Sequence, residues 1–434
     1  MTTRAAYGCG TSPAILRVTN LNDSGAGSLR TALLATGPRV VIFETSGTIV
    51  LGSEIDVTNP CVTIAGQTAP SPGIQIKGFG IQIYTHDVLM QHLRIRPGDG
   101  PPLMDQTAGH DGSIIYSAGT YNVVFDHNSV SWAQDKLTLV ASLPLNAGVT
   151  YWRNIFSESL YRAANIIPQG GSWGAGGPSS LGMILKQSYV GWNANISVLQ
   201  NLFAHNSDRN PEIQGPTSVQ FVNNVVYDWG KDSNNYQWAT FIYGQSGDLP
   251  PQVDVVGNKY IAGPPPSPYP LIALGTYGLA AGTRLYMTDN AVDSTRQPVT
   301  LYTNYDNVDP RVSTPPVSLS GITVRPSSST ESFVLTNAGA RPADRDAVDL
   351  RIVNEVTNRT GNVISSQNQV GGWPTLAANA RSLTLPANPH TVTSTGYTNL
   401  EVWLQGYSAI VEGAAAPPSP PSAPAPPSGL RIVS

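Results

Sequence analysis

The fold class this sequence predicts is all-β: a right-handed, single-stranded parallel β-helix with an N-terminal cap helix and C-terminal helices packed outside the coil. Three observations predict it. Charged residues are only 12% of the chain, about half of the roughly 25% usual for soluble domains, while hydrophobic residues hold at 40%. Gly (42) and Pro (36) are abundant, so turns are many, and the Val, Ile and Leu content is too high for a disordered chain. Finally, a strand-Asn-apolar motif recurs in VVFDHNSV, VTYWRNIF, ISVLQNLF, VQFVNNVV, VDVVGNKY and RLYMTDNAV, placing Asn128, Asn154, Asn201, Asn224, Asn258 and Asn290 at successive spacings of 26, 47, 23, 34 and 32 residues. A motif that persists while its period wanders suits a solenoid with loops inserted on one side. A propeller needs a steadier period. Stacked asparagines at a tight inward turn can satisfy one another's amides. Turn preference of Asn explains one such match, not six.

The elements follow in order. ILRVT (15–19) reads as a first strand and NDSGAGS (22–28) as a turn. LRTALL (29–34) reads as a short amphipathic cap helix that Ser28 can cap. From Arg39 onward come β-rich runs of three to five residues at 40–43, 48–51, 62–64, 74–76, 81–83 and 88–90, bounded by Gly, Pro, Asn or Asp. After about residue 300 the repeat fades. Residues 342–361 predict a helix with Val348, Ile352, Val353 and Val356 on one face and Gly361 as its stop; a second short helix is expected over 400–404, with Trp403 on its buried side. The β-helix domain thus spans 1–412. Residues 413–428 are a Pro-rich, semi-rigid linker, and 429–434 resemble the first strand of a truncated fibronectin type III module.

The totals exclude several function classes. With 24 basic and 28 acidic residues the net charge is −4, which argues against nucleic acid as a partner. No run approaches the ~20 apolar residues of a membrane span. Met1-Thr2-Thr3 opens without a basic and then apolar leader, as in a secreted chain whose leader has been removed. Cys9 and Cys61 form either one disulfide or two buried thiols, and no CxxC or HExxH pattern exists.

Six collinear stretches carry a family resemblance: RVTNLNDSGAGSLRTAL (17–33), PRVVIFETSGTIVL (38–51), VTIAGQTAPSPGIQIKG (62–78), NVVFDHNSVSWAQDK (122–136), AHNSDRNPEIQG (204–215) and ARPADRDAVDLRIVNEV (340–356). Together they resemble the pectate lyase superfamily. The resemblance implies a secreted, monomeric enzyme acting on an acidic plant or microbial polysaccharide, with neither nucleic acid nor membrane as partner. It implies β-elimination: a base removes the proton beside the uronate carboxylate, and the glycosidic oxygen on the neighbouring carbon leaves. Ca2+ held by Asp and Glu, with Lys or Arg, stabilises the developing charge in that family. The base there is an arginine in an Arg-x-Pro motif, and Arg209-Asn210-Pro211 matches it. Arginine is ordinarily protonated, so this role requires crowded cations and alkaline conditions. The plain alternative is an arginine paired with Asp208 or Glu212.

The rest of the implied site is less regular. The family's first calcium-ligating Asp falls at Ser113, two residues after Asp111. Asp135 keeps a second acidic ligand, with Lys136 beside it opposing a cation, and a further ligand position falls at Leu139. Asp111 and Asp135 are therefore the candidate metal ligands of a degenerate Ca2+ site. Glu158, followed by Arg162, joins Asp135 and Arg209 as a catalytic candidate. Gln214 stands where the family has a second Arg, and Lys186, beyond the Gly-rich loop 169–177, is the candidate substrate lysine. Trp132 and Trp173, with Trp152 and Trp192, can line a groove by stacking on sugar faces, or simply pack the coil. Asp126 and His127 are expected to brace the coil. Two other functions stay open: a glycoside hydrolase with paired carboxylates from Asp111, Asp126, Asp135 and Glu158, and a non-catalytic carbohydrate-binding β-helix. Ultraviolet absorbance from an unsaturated product separates the lyase from both.

Overall fold

The structure is a computed structural model that describes residues 4–99, 111–161, 163, 180–186, 194–215, 217–231, 238–244, 249–264, 270–319 and 321–413. Within these residues the backbone winds through three parallel sheets of ten, nine and nine strands. One turn shows the order. Val123–Asp126 lies in the ten-stranded sheet (sheet I), Ser129–Ser131 in the sheet that starts at Gly47–Val50 (sheet II), and Lys136–Ala141 in the sheet that starts at Ile55–Val57 (sheet III). The chain then returns to sheet I at Ala147–Trp152, which pairs in parallel with Val123–Asp126 one whole coil earlier. This is the parallel β-helix expected from the sequence.

The register explains why short strands suffice. In sheet I, Val62, Val88, Val123, Val149, Ile196, Val219, Val253 and Leu285 sit directly over one another. All eight are essentially buried. A one-residue slip in any coil would turn its apolar set outward, so burial at about 25 cal/mol per Å² fixes the register.

The recurring asparagines form a continuous ladder at the corner between sheets I and II. Each Nδ2 donates to the Oδ1 of the next: Asn128 to Asn154 at 3.2 Å, Asn154 to Asn201 at 3.0 Å, Asn201 to Asn224 at 3.1 Å, Asn224 to Asn258 at 3.1 Å and Asn258 to Asn290 at 2.9 Å. The same Oδ1 atoms also accept the preceding ladder residue's backbone N–H. Buried amides are thereby satisfied at both ends. The residue before each ladder asparagine takes a left-handed conformation, as at His127 (φ 51°), Arg153 (55°), Gln200 (58°) and Asn223 (54°).

The cap helix α1 (Leu29–Leu34) starts where expected, with the Ser28 side chain accepting from the Thr31 N–H. Among the described residues the C-terminal half holds three α-helices: α2 (Ser327–Asn337), α3 (Ala347–Asn358) and α4 (Asn399–Glu412). The α2 helix was not expected from the sequence. The α3 helix is shorter than 342–361: Asp346 caps its start, and Arg359 at φ 58° ends it before Gly361. Its first turn is anchored to sheet II, where Arg96 Nη2 lies 2.7 Å from Asp349 Oδ1. The α4 helix runs well past 404, opened by a Thr398–Glu401 capping box and closed by Gly413 at φ 80°. Its Leu400 and Leu404 pack on Val40, Ile42 and Ala65 of sheet I. Cys9 and Cys61 form a disulfide with a Cα–Cα distance of 6.0 Å. Among the described residues no helix is long and apolar enough to cross a membrane. The expected linker beyond Gly413 and the 429–434 segment lie outside the described residues.

Candidate active site

The chain passes from sheet II to sheet III through a corner that carries most of the candidate polar residues. Strand register sets their spacing. Lys136 lies level with Leu181, and Leu181 with Asp208, so Lys136 and Asp208 stand two rungs apart, roughly 10 Å along the coil axis.

Asp111 and Asp135 are brought together, and Lys136 lies between them. Its Nζ is 3.3 Å from Asp111 Oδ2 and contacts Asp135 Oδ2, while its backbone N–H donates to Asp111 Oδ1 at 3.1 Å. Burial pushes the Asp111 carboxyl up to about 7, against the pull of the Lys136 ammonium, and the Asp135 charge adds to the rise. Calcium needs about six to eight oxygen ligands. Here Ser113 is fully buried with its hydroxyl donating to Ile81 O, and Leu139 offers no oxygen. Asp111 and Asp135 already hold an ammonium in the place a cation would take. These residues do not fit a protein-built calcium site, and the expected pair of metal ligands is corrected to a lysine clamp.

Arg209 sits two rungs away at the same corner, with φ 61°. Its backbone N–H donates to Asp208 Oδ1 at 2.7 Å. Its Nε lies 2.7 Å from Glu212 Oε2 and 3.6 Å from Asp208 Oδ2. The contact to Glu212 is close but lies off the N–H axis. The pairing with Asp208 and Glu212, the plain alternative for this arginine, is what the structure contains. The cause is local. The strand Glu212–Gln214 begins three residues after Arg209 and sets Glu212 laterally beside Ile184, on a strand whose last residue is Lys186. Burial raises the Glu212 carboxyl, and the charges of Arg209 and Lys186 draw it back down.

Lys186 and Gln214 are lateral neighbours, Lys186 half-buried and Gln214 buried. Their row continues along sheet III in both directions, through Ala141 to Tyr116 and through Tyr243 to Tyr277. The Tyr243 and Tyr277 rings are parallel with centroids 5.9 Å apart, and Tyr277 and Tyr116 are exposed. Flat aromatic faces beside a lysine and an amide suit a sugar chain carrying carboxylates. Sequence reasoning missed these tyrosines. The available signal was that SIIY, WATFIY and LIALGTY each end a strand in Tyr.

Other candidates fall elsewhere. Glu158 is fully buried, takes the Trp132 indole N–H at 2.8 Å, and forms a two-pronged ion pair with Arg351 of α3 at 2.8 and 2.7 Å. It is corrected from catalytic candidate to a carboxylate that anchors α3. Trp132 is fully buried against Trp373, Leu160, Val348 and Ile364, so it packs the coil and presents no face to a sugar. Trp152 ends a sheet I strand with its indole N–H on Gln200. Trp173, Trp192 and Arg162 lie outside the described residues. Asp126 accepts from His127 at 2.6 Å and from Gln91, a bracing role at the sheet I corner. With Asp126 and Glu158 committed there, the carboxylate pairs that a hydrolase reading drew from them are not assembled.

No family model matches the chain. Whole-chain comparison finds a probable pectate lyase C from Aspergillus flavus, 31% identical over 417 residues, covering 89% of this chain and 87% of that protein. The protein of the same name from Neosartorya fischeri is 30% identical with the same coverage. Among solved structures, the major allergen from cedar pollen superposes with a TM-score of 0.54 at 16% identity, over 74% of this chain and 87% of that one. A Bacillus subtilis pectate lyase superposes with a TM-score of 0.53 at 14% identity, over 77% and 94%.

Proposed function

Because the chain belongs to the pectate lyase family, we propose that this polysaccharide lyase is secreted and cleaves a uronate-containing, pectin-like polymer by β-elimination, with Arg209 as the base. The observation that carries the reading is the row on sheet III: Lys186 and Gln214 flanked by Tyr116, Tyr243 and Tyr277, with Arg209 and Glu212 at its edge. Its chemistry matches an anionic sugar chain. The Cys9–Cys61 disulfide fits an oxidising, extracellular setting.

In this mechanism the polymer lies along sheet III with sugar faces on the tyrosines. Lys186 and Gln214 hold the carboxylate of the reacting unit. That carboxylate competes with Glu212 for Lys186 and Arg209 and leaves Arg209 facing the proton on the adjacent carbon. In its neutral form the guanidine takes that proton. The freed electron pair becomes the double bond to the next carbon, the glycosidic C–O bond breaks, and the departing oxygen is protonated by solvent. Arg209 then returns its proton to water. Asp111 and Asp135 serve by fixing Lys136 at the corner two rungs away. Calcium supplies charge stabilisation in this family, and no step here depends on it.

The test is digestion of polygalacturonate, methyl-esterified pectin and other uronate polymers, with and without chelator. Ultraviolet absorbance from an unsaturated product, rising with alkaline pH, is the expected result. New reducing ends without that absorbance would establish hydrolysis instead, and neither signal would leave a binding protein.

A further inference from the structure

On the other side of the coil, a second polar cluster is assembled by the left-handed corner between sheets I and II. His92 and His127 occupy that corner in adjacent coils, at φ 58° and 51°. Their rings stack with centroids 5.2 Å apart and planes 11° from parallel. Each ring uses Nδ1 on an acceptor: His92 on Ala340 O at 2.7 Å, His127 on Asp126 Oδ1 at 2.6 Å. That fixes the proton on Nδ1 and leaves a lone pair on Nε2. Both Nε2 atoms are buried and lack any hydrogen-bond partner, although both histidines are at most 1% exposed.

Both Nε2 atoms face one carboxylate. Glu412, the last residue of α4, lies with Oε1 3.6 Å from His92 Nε2 and Oε2 3.8 Å from His127 Nε2. These distances are too long for hydrogen bonds. Each histidine–carboxylate pair, one to either oxygen, is within about half an ångström of the ~3.3 Å ligand-to-ligand edge of a tetrahedron with bonds near 2.0–2.1 Å. All three donor atoms lie within 4.8 Å of one another. Arg153, one coil on, is the other claimant on Glu412, at 4.0 Å. A groove of about 370 Å³ between sheet I and α4, lined by Asp126, Trp152, Leu404, Ser408 and Glu412, reaches the cluster and leaves room for a fourth ligand.

We propose that His92, His127 and Glu412 form a binding site for a divalent transition-metal ion of the zinc class. Two imidazoles and one carboxylate are the donor set such ions take, whereas calcium requires oxygens. The Nδ1 partners are the outer contacts that orient metal-bound histidines. A simple histidinium–glutamate pair explains the cluster less well. It would leave one Nε2 still unsatisfied, and protonating both rings would stack like charges beside Arg153. A metal ion would satisfy both nitrogens and tie the end of α4 to two coils.

The experiment is calorimetric titration of the full-length, untagged, chelator-stripped protein with ZnCl2, alongside Glu412→Gln, His127→Gln and Asp126→Asn. The wild type should bind one equivalent, tightly enough to raise Tm, while CaCl2 at equal concentration should not. Glu412→Gln, at a partly exposed helix end, should keep the metal-free Tm and bind at least about tenfold more weakly. Asp126→Asn should weaken binding by about 10- to 100-fold. Absence of zinc binding by folded wild type would overturn the site. So would equal affinity in a folded Glu412→Gln protein, which would place the ion elsewhere. If His127→Gln fails to fold, the Glu412→Gln comparison decides.

Discussion

Arg209 and Glu212 meet across three residues of chain, Nε to Oε2 at 2.7 Å, beside the outer face of sheet III. A carboxylate at that distance favours the protonated guanidinium, so Glu212 governs how much neutral Arg209 exists at a given pH. Glu212→Gln is therefore expected to shift the alkaline rise of kcat/KM, which reports the free enzyme, to lower pH, with product chemistry unchanged. A purely structural Glu212 would change the height of the profile without moving it.

The tyrosine row should act on binding more than on chemistry. Tyr243→Ala and Tyr277→Ala are each expected to raise KM by about three- to tenfold, with kcat nearly constant, from the loss of one stacking face. Tyr277 is exposed and Tyr243 half-buried, so Tm should hold. Steady-state kinetics on the preferred polymer checks this, and an unchanged KM in both variants would move the substrate off sheet III.

Glu158 is expected to act on stability alone. Arg351→Ala leaves a fully buried carboxylate without its cation and should destabilise by about 3 kcal/mol or more. Glu158→Gln should lower the denaturation midpoint while folded molecules keep normal turnover. Loss of turnover at normal stability would restore Glu158 to the chemistry.

These residues show what the sequence disclosed and what it hid. The coil was legible because Asn128 to Asn290 repeat one local motif, and each repeat carries its own turn. Arg209 could be singled out because its Arg-x-Pro motif is contiguous. The partner of Glu158 was not, since Arg351 lies 193 residues along the chain. Trp132 looked like a sugar platform for the same reason: Trp373 and Ile364, which bury it, arrive from the C-terminal segment. The tyrosine row escaped notice because lateral neighbours are separated by whole coils with inserted loops. The α2 helix escaped because SSSTESFVLTN has a serine-rich start and no amphipathic period. Glycine usually supplies the left-handed stop of a helix, which points to Gly361; Arg359 adopts the left-handed turn instead and is held by Asp293 and Glu331.

Calcium should bind the free protein weakly. Lys136 occupies the space between Asp111 and Asp135, so titration with CaCl2 is expected to show no saturable site tighter than about 10⁻⁴ M. Lys136→Ala should strengthen calcium binding by vacating that space. A tighter calcium site in the wild type would contradict the lysine clamp.

The central claim rests on Arg209, and one comparison tests it most directly: turnover of Arg209→Lys against wild type at alkaline pH on the polymer the wild type prefers. Lysine keeps a positive charge but moves the nitrogen and loses the planar guanidine. The variant is expected to fold normally, retain polymer binding and lose turnover by about 10²-fold or more, the scale of general-base catalysis. Equal rates would mean that another group takes the proton, and Arg209 would then be only the ion-pair partner of Glu212.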